Sequence, residues 1–156
     1  MKTDVTTDRE YELWVLLHQA CDAMSRAREN EVRKFGISMM QAAVLFIVKA
    51  IDGPATPAEI SRWLFRKPHA VSGLLDRMEK QGLVRKVKNL ERKNMIRVVI
   101  TEKGENAYQR SKNANATCSI LSSLSAQERD TIRPYLETLR NKALEELGVN
   151  HQLPFP

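Results

Sequence analysis

The chain has 156 residues, 42% hydrophobic and 28% charged, enough for one compact domain with an added subdomain and a real core. No run approaches about 18 consecutive apolar residues, the opening MKTDVTTDRE has no apolar signal core, and two cysteines cannot staple a fold. A membrane span and a disulfide scaffold are therefore excluded, and a soluble, cytoplasmic protein is expected. The net charge of +6 is unevenly placed: residues 62–97 hold eleven basic and three acidic side chains, a net of +8, which leaves the other 120 residues at −2. A basic block inside a near-neutral chain is the electrostatic footprint of a polyanion binder, although a solvated basic surface reads the same on charge alone.

In chain order, residues 8–34 predict a helix on which Leu13, Leu16, Leu17, Ala20, Cys21, Met24 and Ala27 recur at helical intervals, closed by Gly36. Ser38-Met39-Met40-Gln41 reads as a capping box for a second helix to about Ile51, apolar on most sides and so the expected centre of a bundle. Thr56-Pro57-Ala58-Glu59 places Thr at N-cap, Pro at N1 and Glu at N3 of a short third helix ending near Leu64. After a break at residues 65–67, Pro68 opens a fourth helix that ends at Gln81-Gly82. Its stripe Val71, Leu74, Leu75 and Met78 leaves His69, Ser72, Gly73, Asp76, Arg77 and Lys80 facing away. Two helices joined by a tight turn, the second with a polar basic face, form a helix-turn-helix.

Beyond Gly82 the period changes to two. Residues 83–88 and 95–100 predict paired strands joined by a polar connection, Asn89-Leu90-Glu91-Arg92-Lys93-Asn94, and a hairpin in that place is a wing. Thr101-Glu102-Lys103-Gly104 opens one long polar helix to about Leu121. Ser125-Ala126-Gln127-Glu128 is a further capping box, for a helix to about Leu147 with Ile132, Tyr135, Leu136 and Leu139 at helical spacing. The outer helices carry more apolar surface than a small winged module can cover, which predicts a homodimer.

Residues 37–104 resemble the MarR family of winged helix-turn-helix regulators. The resemblance rests on Ser38-Met39-Met40-Gln41-Ala42-Ala43-Val44-Leu45, Pro57-Ala58-Glu59-Ile60-Ser61, the run from Val71 through Asp76-Arg77-Met78-Glu79-Lys80-Gln81-Gly82-Leu83-Val84, and the closing Thr101-Glu102-Lys103-Gly104. It implies a mostly α fold with a small β-hairpin wing. Residues 37–101 would form the DNA-binding module, residues 1–36 and 102–150 a helical dimerisation region, and residues 151–156 a flexible tail. The family usually has an acid followed by two arginines in the wing. This chain offers Glu91-Arg92-Lys93-Asn94, so Arg92 is the candidate minor-groove arginine and Lys93 the second.

In a major groove, His69, Ser72 and Arg77 face the bases and Gly73 admits close backbone approach, while Pro68 at N1 leaves the amides behind it for a phosphate. His69 reads equally as an exposed turn residue, and Arg77 suits a base or a phosphate. Lys86, Lys88 and Arg97 are the expected phosphate contacts, with Arg92 and Lys93 in the minor groove. The resemblance further implies repression relieved by a small aromatic acid or phenol bound between dimerisation helices and winged module, where Tyr11, Trp14, His18, Met39 and Met40 are candidate lining residues. Core or interface packing explains the same five. The alternative is a thiol-based redox regulator of the same fold, although family members that sense peroxides carry their cysteine where this chain has Leu13 and Trp14. His18 and Cys21 lie on one helix face, but two ligands make no metal site, and a buried thiol is expected for Cys21. Nothing resembles a catalytic set, so no enzyme activity, metal or cofactor is expected.

Overall fold

Described in a computed structural model are residues 5–88, 95–113 and 115–149. Their elements run α1 (Val5–Arg33), α2 (Met39–Ala50), α3 (Pro57–Leu64), α4 (Pro68–Lys80), β1 (Val84–Lys88), β2 (Ile96–Ile100), α5 (Glu102–Lys112), α6 (Ala116–Leu121) and α7 (Ala126–Glu146). The expected caps form. Ser38 and Gln41 close a reciprocal capping box on α2, Ser125 and Glu128 another on α7, and Thr56 Oγ1 accepts from the Glu59 amide at the start of α3. The start of α2 has a second anchor that local pattern does not reveal. Glu29 of α1 accepts the Met39 amide at 2.6 Å and pairs with Arg33 at 2.8 Å. The Arg33 guanidinium and then that amide hold the Glu29 carboxyl below the usual carboxylate range.

The core is one cluster in which α2 is central. Val44, Leu45, Ile60, Val71, Leu75, Met78 and Val84 are almost wholly buried, with Val32 of α1 joining from one side and Ala107 and Tyr108 of α5 from another. The winged module therefore shares its core with the end of α1 and the middle of α5. Strands β1 and β2 pair antiparallel in the register Val84 to Ile100 through Lys88 to Ile96. The segment before α3 adds one more rung, the Val98 amide donating to the Ala55 carbonyl at 2.7 Å. No helix among the described residues is long and apolar enough to cross a membrane.

Two expectations change. The single helix expected over residues 101–121 is two helices. The segment carries Ser111, Asn113 and Asn115, residues that compete for the backbone with their own side chains, and Ser111 Oγ indeed donates back to the Tyr108 carbonyl at 2.8 Å. The second helix starts afresh because Glu31 of α1 accepts the Ala116 amide at 2.8 Å. Cys21 is exposed rather than buried, as is Cys118. Among the described residues, the apolar stripe of α1 that carries Cys21 is left open, with Leu13 and Leu16 57% and 61% exposed.

Candidate nucleic-acid interface

Helix α4 buries Val71, Leu74, Leu75 and Met78, and this seating decides what it presents outward. His69, Ser72, Asp76, Arg77 and Lys80 are exposed and Gly73 is half-buried. No side chain caps the start of α4: Lys67 is its N-cap residue, Pro68 at N1 has no amide hydrogen and the Ala70 amide donates to the Lys67 carbonyl at 3.0 Å, which leaves the His69 amide at the positive end of the helix dipole. Among the described residues, Arg66, Lys67, Arg77, Lys80, Arg85, Lys88 and Arg97 form no ion pair. Arg66, Lys67, Lys80 and Arg85 are absent from the expected contact set, although the charge count of residues 62–97 already contained them.

Lys86 has another occupation. Its ammonium is bound by Asp76 of α4, and its backbone amide donates to Glu79 Oε1 at 2.8 Å. The Lys86 ammonium holds the Asp76 carboxyl below the usual carboxylate range. The two acids of α4 thus fasten that helix to β1, and Lys86 is engaged rather than free for a phosphate. The pleat separates the other strand cations. Arg97 sits opposite Val87 and shares a face with Arg85, whereas Lys88 shares the face of Lys86 and buried Val84. Arg92 and Lys93 lie outside the described residues.

The ends of the motif run meet at one joint. Gly82 turns the chain at φ +73°, after which the Leu83 carbonyl accepts from both the Thr101 amide and Thr101 Oγ1 at 3.1 Å. Thr101 Oγ1 also donates to the Gly82 carbonyl at 2.5 Å and accepts the Gly104 amide at 3.0 Å, capping α5. Lys103 Nζ reaches the Gln81 carbonyl at 2.7 Å, and Gln81 Oε1 accepts from Gln41 of α2 at 2.6 Å. The end of α4, the root of the wing, α2 and α5 are thereby one rigid unit. Much of the motif run therefore serves to position α4 rather than to line its exposed face.

Gly73 is different. A Cβ built there meets only Arg77 Nη1, at 3.9 Å, so nothing in the fold demands glycine. Gly73→Ala is expected to stabilise the protein by about 0.5–1 kcal/mol through helix propensity while weakening DNA binding. Thermal melts and duplex titrations check this; a lower melting temperature, or undiminished affinity, would refute it.

The five candidate ligand-lining residues are not brought together. Tyr11, Trp14 and His18 stand exposed on α1. Met39 lines a cleft of about 380 Å³ with Arg28, Phe46, Tyr108, Lys112 and Cys118. Met40 lines another, of about 500 Å³, with Leu64, Arg66, Leu74 and Arg77. Sequence reading missed Arg28 and Tyr108, whose meeting with Met39 depends on how α1 and α5 pack on α2. Among the described residues, no group of three or more His, Cys, Asp or Glu is placed to hold a metal ion.

A family model described as MarR family matches residues 35–93. The uncharacterised HTH-type transcriptional regulator YfiV of Bacillus subtilis strain 168 is 25% identical over 109 residues, covering 70% of this chain and 68% of that protein. The organohalide-sensing transcriptional regulator RdhR-CbdbA1625 in its ligand-free form is similar with a TM-score of 0.82 and 28% identity, over 94% of this chain and 89% of its own. Its 2,4-dichlorophenol-bound form gives a TM-score of 0.79 at the same 28% identity, over 94% and 86%. A mutant MarR from E. coli complexed with operator DNA shares the fold, with a TM-score of 0.77 at 21% identity over 88% of this chain and 99% of that one.

Proposed function

We propose that the chain is a winged-helix transcriptional regulator of the MarR family that binds a pseudopalindromic DNA operator as a homodimer. The observation that carries this is the outward face of α4 and the turn before it, where residues 65–70 are all exposed and Arg66, Lys67, Arg77 and Lys80 have no acidic partner among the described residues. On this reading His69, Ser72 and Arg77 meet base edges, Gly73 and the His69 amide come close to the backbone, and Lys88 and Arg97 hold phosphates. Arg92 and Lys93 enter the minor groove. Lys86 serves by orienting the wing against α4.

The dimer is supported by α7, which buries only Leu144 along 21 residues while Ile132, Tyr135, Leu136 and Leu139 form an exposed stripe. Most helical stability in proteins comes from packing an amphipathic face, so this apolar stripe calls for a partner. Residues 1–36 and 102–150 are assigned to dimerisation and residues 37–101 to DNA. A two-fold axis then spaces the two α4 helices one helical turn apart, roughly 34 Å.

The regulator is read as a repressor released by a small aromatic acid or phenol. Support comes from the Met39 cleft, where Phe46 and Tyr108 supply apolar walls and Arg28 and Lys112 positive charge, and from the similar RdhR-CbdbA1625, solved with and without 2,4-dichlorophenol. A second reading, thiol control, is favoured by the exposed Cys118 at the rim of that cleft. Peroxide that releases operator from wild type but not from Cys118→Ser would select it.

The test is an electrophoretic shift on duplex DNA selected by the protein from a random pool, at 50 and 200 mM salt. Wild type is expected to lose on the order of 10³-fold in affinity between the two if six or more phosphates are engaged. Arg77→Ala and Arg92→Ala should each cost about 1–3 kcal/mol. A flat salt response, or no binding to any duplex at low salt, would sink the proposal.

A further inference from the structure

Asp76 is an acid on an outward face of α4 that His69, Ser72, Gly73, Arg77 and Lys80 otherwise make neutral or basic. Ser72 lies one turn before it and Lys80 one turn after. A carboxylate in that place works against a polyanion. Its partner is the Lys86 ammonium, which reaches it from β1. The Asp76 side chain is 54% exposed and that of Lys86 22%, and an ion pair this open adds little to stability. The seating of β1 does not depend on it either. Glu79 Oε1 accepts the Lys86 amide at 2.8 Å, and the Met78 carbonyl accepts the Leu83 amide at 2.9 Å.

The pair acts through charge. It brings the Lys86 ammonium to the outward face of α4 and neutralises it there. Arg77 and Lys80 on the same helix, and Arg85 and Lys88 on the same strand, have no ion-pair partner among the described residues. Resting on the DNA-binding reading above, we propose that Asp76 is a specificity-determining residue that withholds the Lys86 ammonium from DNA phosphates. A free cation grips the backbone of any sequence and so strengthens generic binding without reading a base. In a generic complex charge alone sets the pose, and every free cation finds a phosphate. In an operator complex base contacts fix the pose, and a freed Lys86 gains a phosphate only where one lies within reach. Holding Lys86 on Asp76 therefore lowers generic affinity more than operator affinity, and the ratio of the two is what selects a site.

The experiment compares wild type, Asp76→Asn, and Asp76→Asn combined with Lys86→Met. Each is titrated, over a range of salt, with a duplex enriched by wild-type protein from a random pool and with a scrambled duplex of the same length and composition. At 150 mM salt Asp76→Asn is expected to bind the scrambled duplex about fivefold more tightly for each protomer engaged, with a salt slope steeper by about 0.9 for each. Its affinity for the enriched duplex should rise less. The double variant should return to within about twofold of wild type on the scrambled duplex, because a neutralised pair and no pair are alike to a phosphate. Asp76→Ala, a better helix former, carries the same comparison if the asparagine variant folds poorly. The proposal is overturned if Asp76→Asn gains nothing on the scrambled duplex or gains equally on both. It is also overturned if the double variant keeps the gain, or falls below wild type with a shallower slope, which would make Lys86 a phosphate ligand in spite of Asp76. A wild type that binds no duplex at low salt fails differently: it sinks the DNA-binding reading, and this inference falls with it.

Discussion

Gly104→Ala is expected to destabilise the protein by about 3 kcal/mol, the upper part of the overpacking range, and to lower its melting temperature by roughly 10 °C. A Cβ at position 104 would lie 2.0 Å from the Leu83 carbonyl oxygen and 2.9 Å from Ile100 Cγ2. Neither neighbour is the free end of a flexible chain. The Leu83 oxygen is held by the Thr101 amide and hydroxyl, and Gly104 itself donates to that hydroxyl. Relief therefore requires α5 to move off the root of the wing, breaking the cap and loosening the joint that orients α4. Propensity alone would make alanine the better residue inside a helix, so the two arguments predict opposite signs. Melts at fixed protomer concentration decide between them, since association also shifts the midpoint. A variant as stable as wild type would mean that the close approach of α5 to the wing is not real.

A double change, Leu136→Asp with Leu139→Asp, is expected to convert the proposed dimer to monomer at micromolar concentration and to weaken operator binding by about 10²- to 10⁴-fold. The two leucines are 47% and 50% exposed in the single chain and lie in the middle of the α7 stripe. Covering each by a partner is worth roughly 1 kcal/mol, about half of a full leucine burial, and a carboxylate in the same place carries a desolvation cost instead. The DNA effect is larger than any one contact because the second half-site is otherwise engaged at high effective concentration. Sedimentation and duplex titration read the two consequences separately. A variant that stays dimeric would place the interface elsewhere, and a monomer that binds operator at full strength would remove the two-half-site model.

Much of the architecture was legible from local signals. The caps of α2, α3 and α7 were visible in Ser38-Gln41, Thr56-Glu59 and Ser125-Glu128 because a cap is a contact between residues three apart. The basic outer face of α4 was visible because four buried apolar residues at helical spacing leave the others facing out. Failures were of another kind. The break between α5 and α6 turns on Glu31, 85 positions before the amide it caps. Lys86 looked like a phosphate contact until the hairpin folded it against Asp76, and Cys21 looked buried because its helix face is apolar.

What the sequence by itself determined is the order of helices and hairpin, the ends of most of them and the sign of the charge on the reading face, since each follows from periodicity, caps and composition within a few residues. Tertiary structure decided which cations remain available, which residues share a cleft and why Gly104 must be glycine. These depend on faces that meet across 10 to 85 residues of chain, as at Lys86 with Asp76, Thr101 with Leu83 or Gln41 with Gln81. The one-dimensional pattern of apolar and polar residues states that a face will be covered, but not by what.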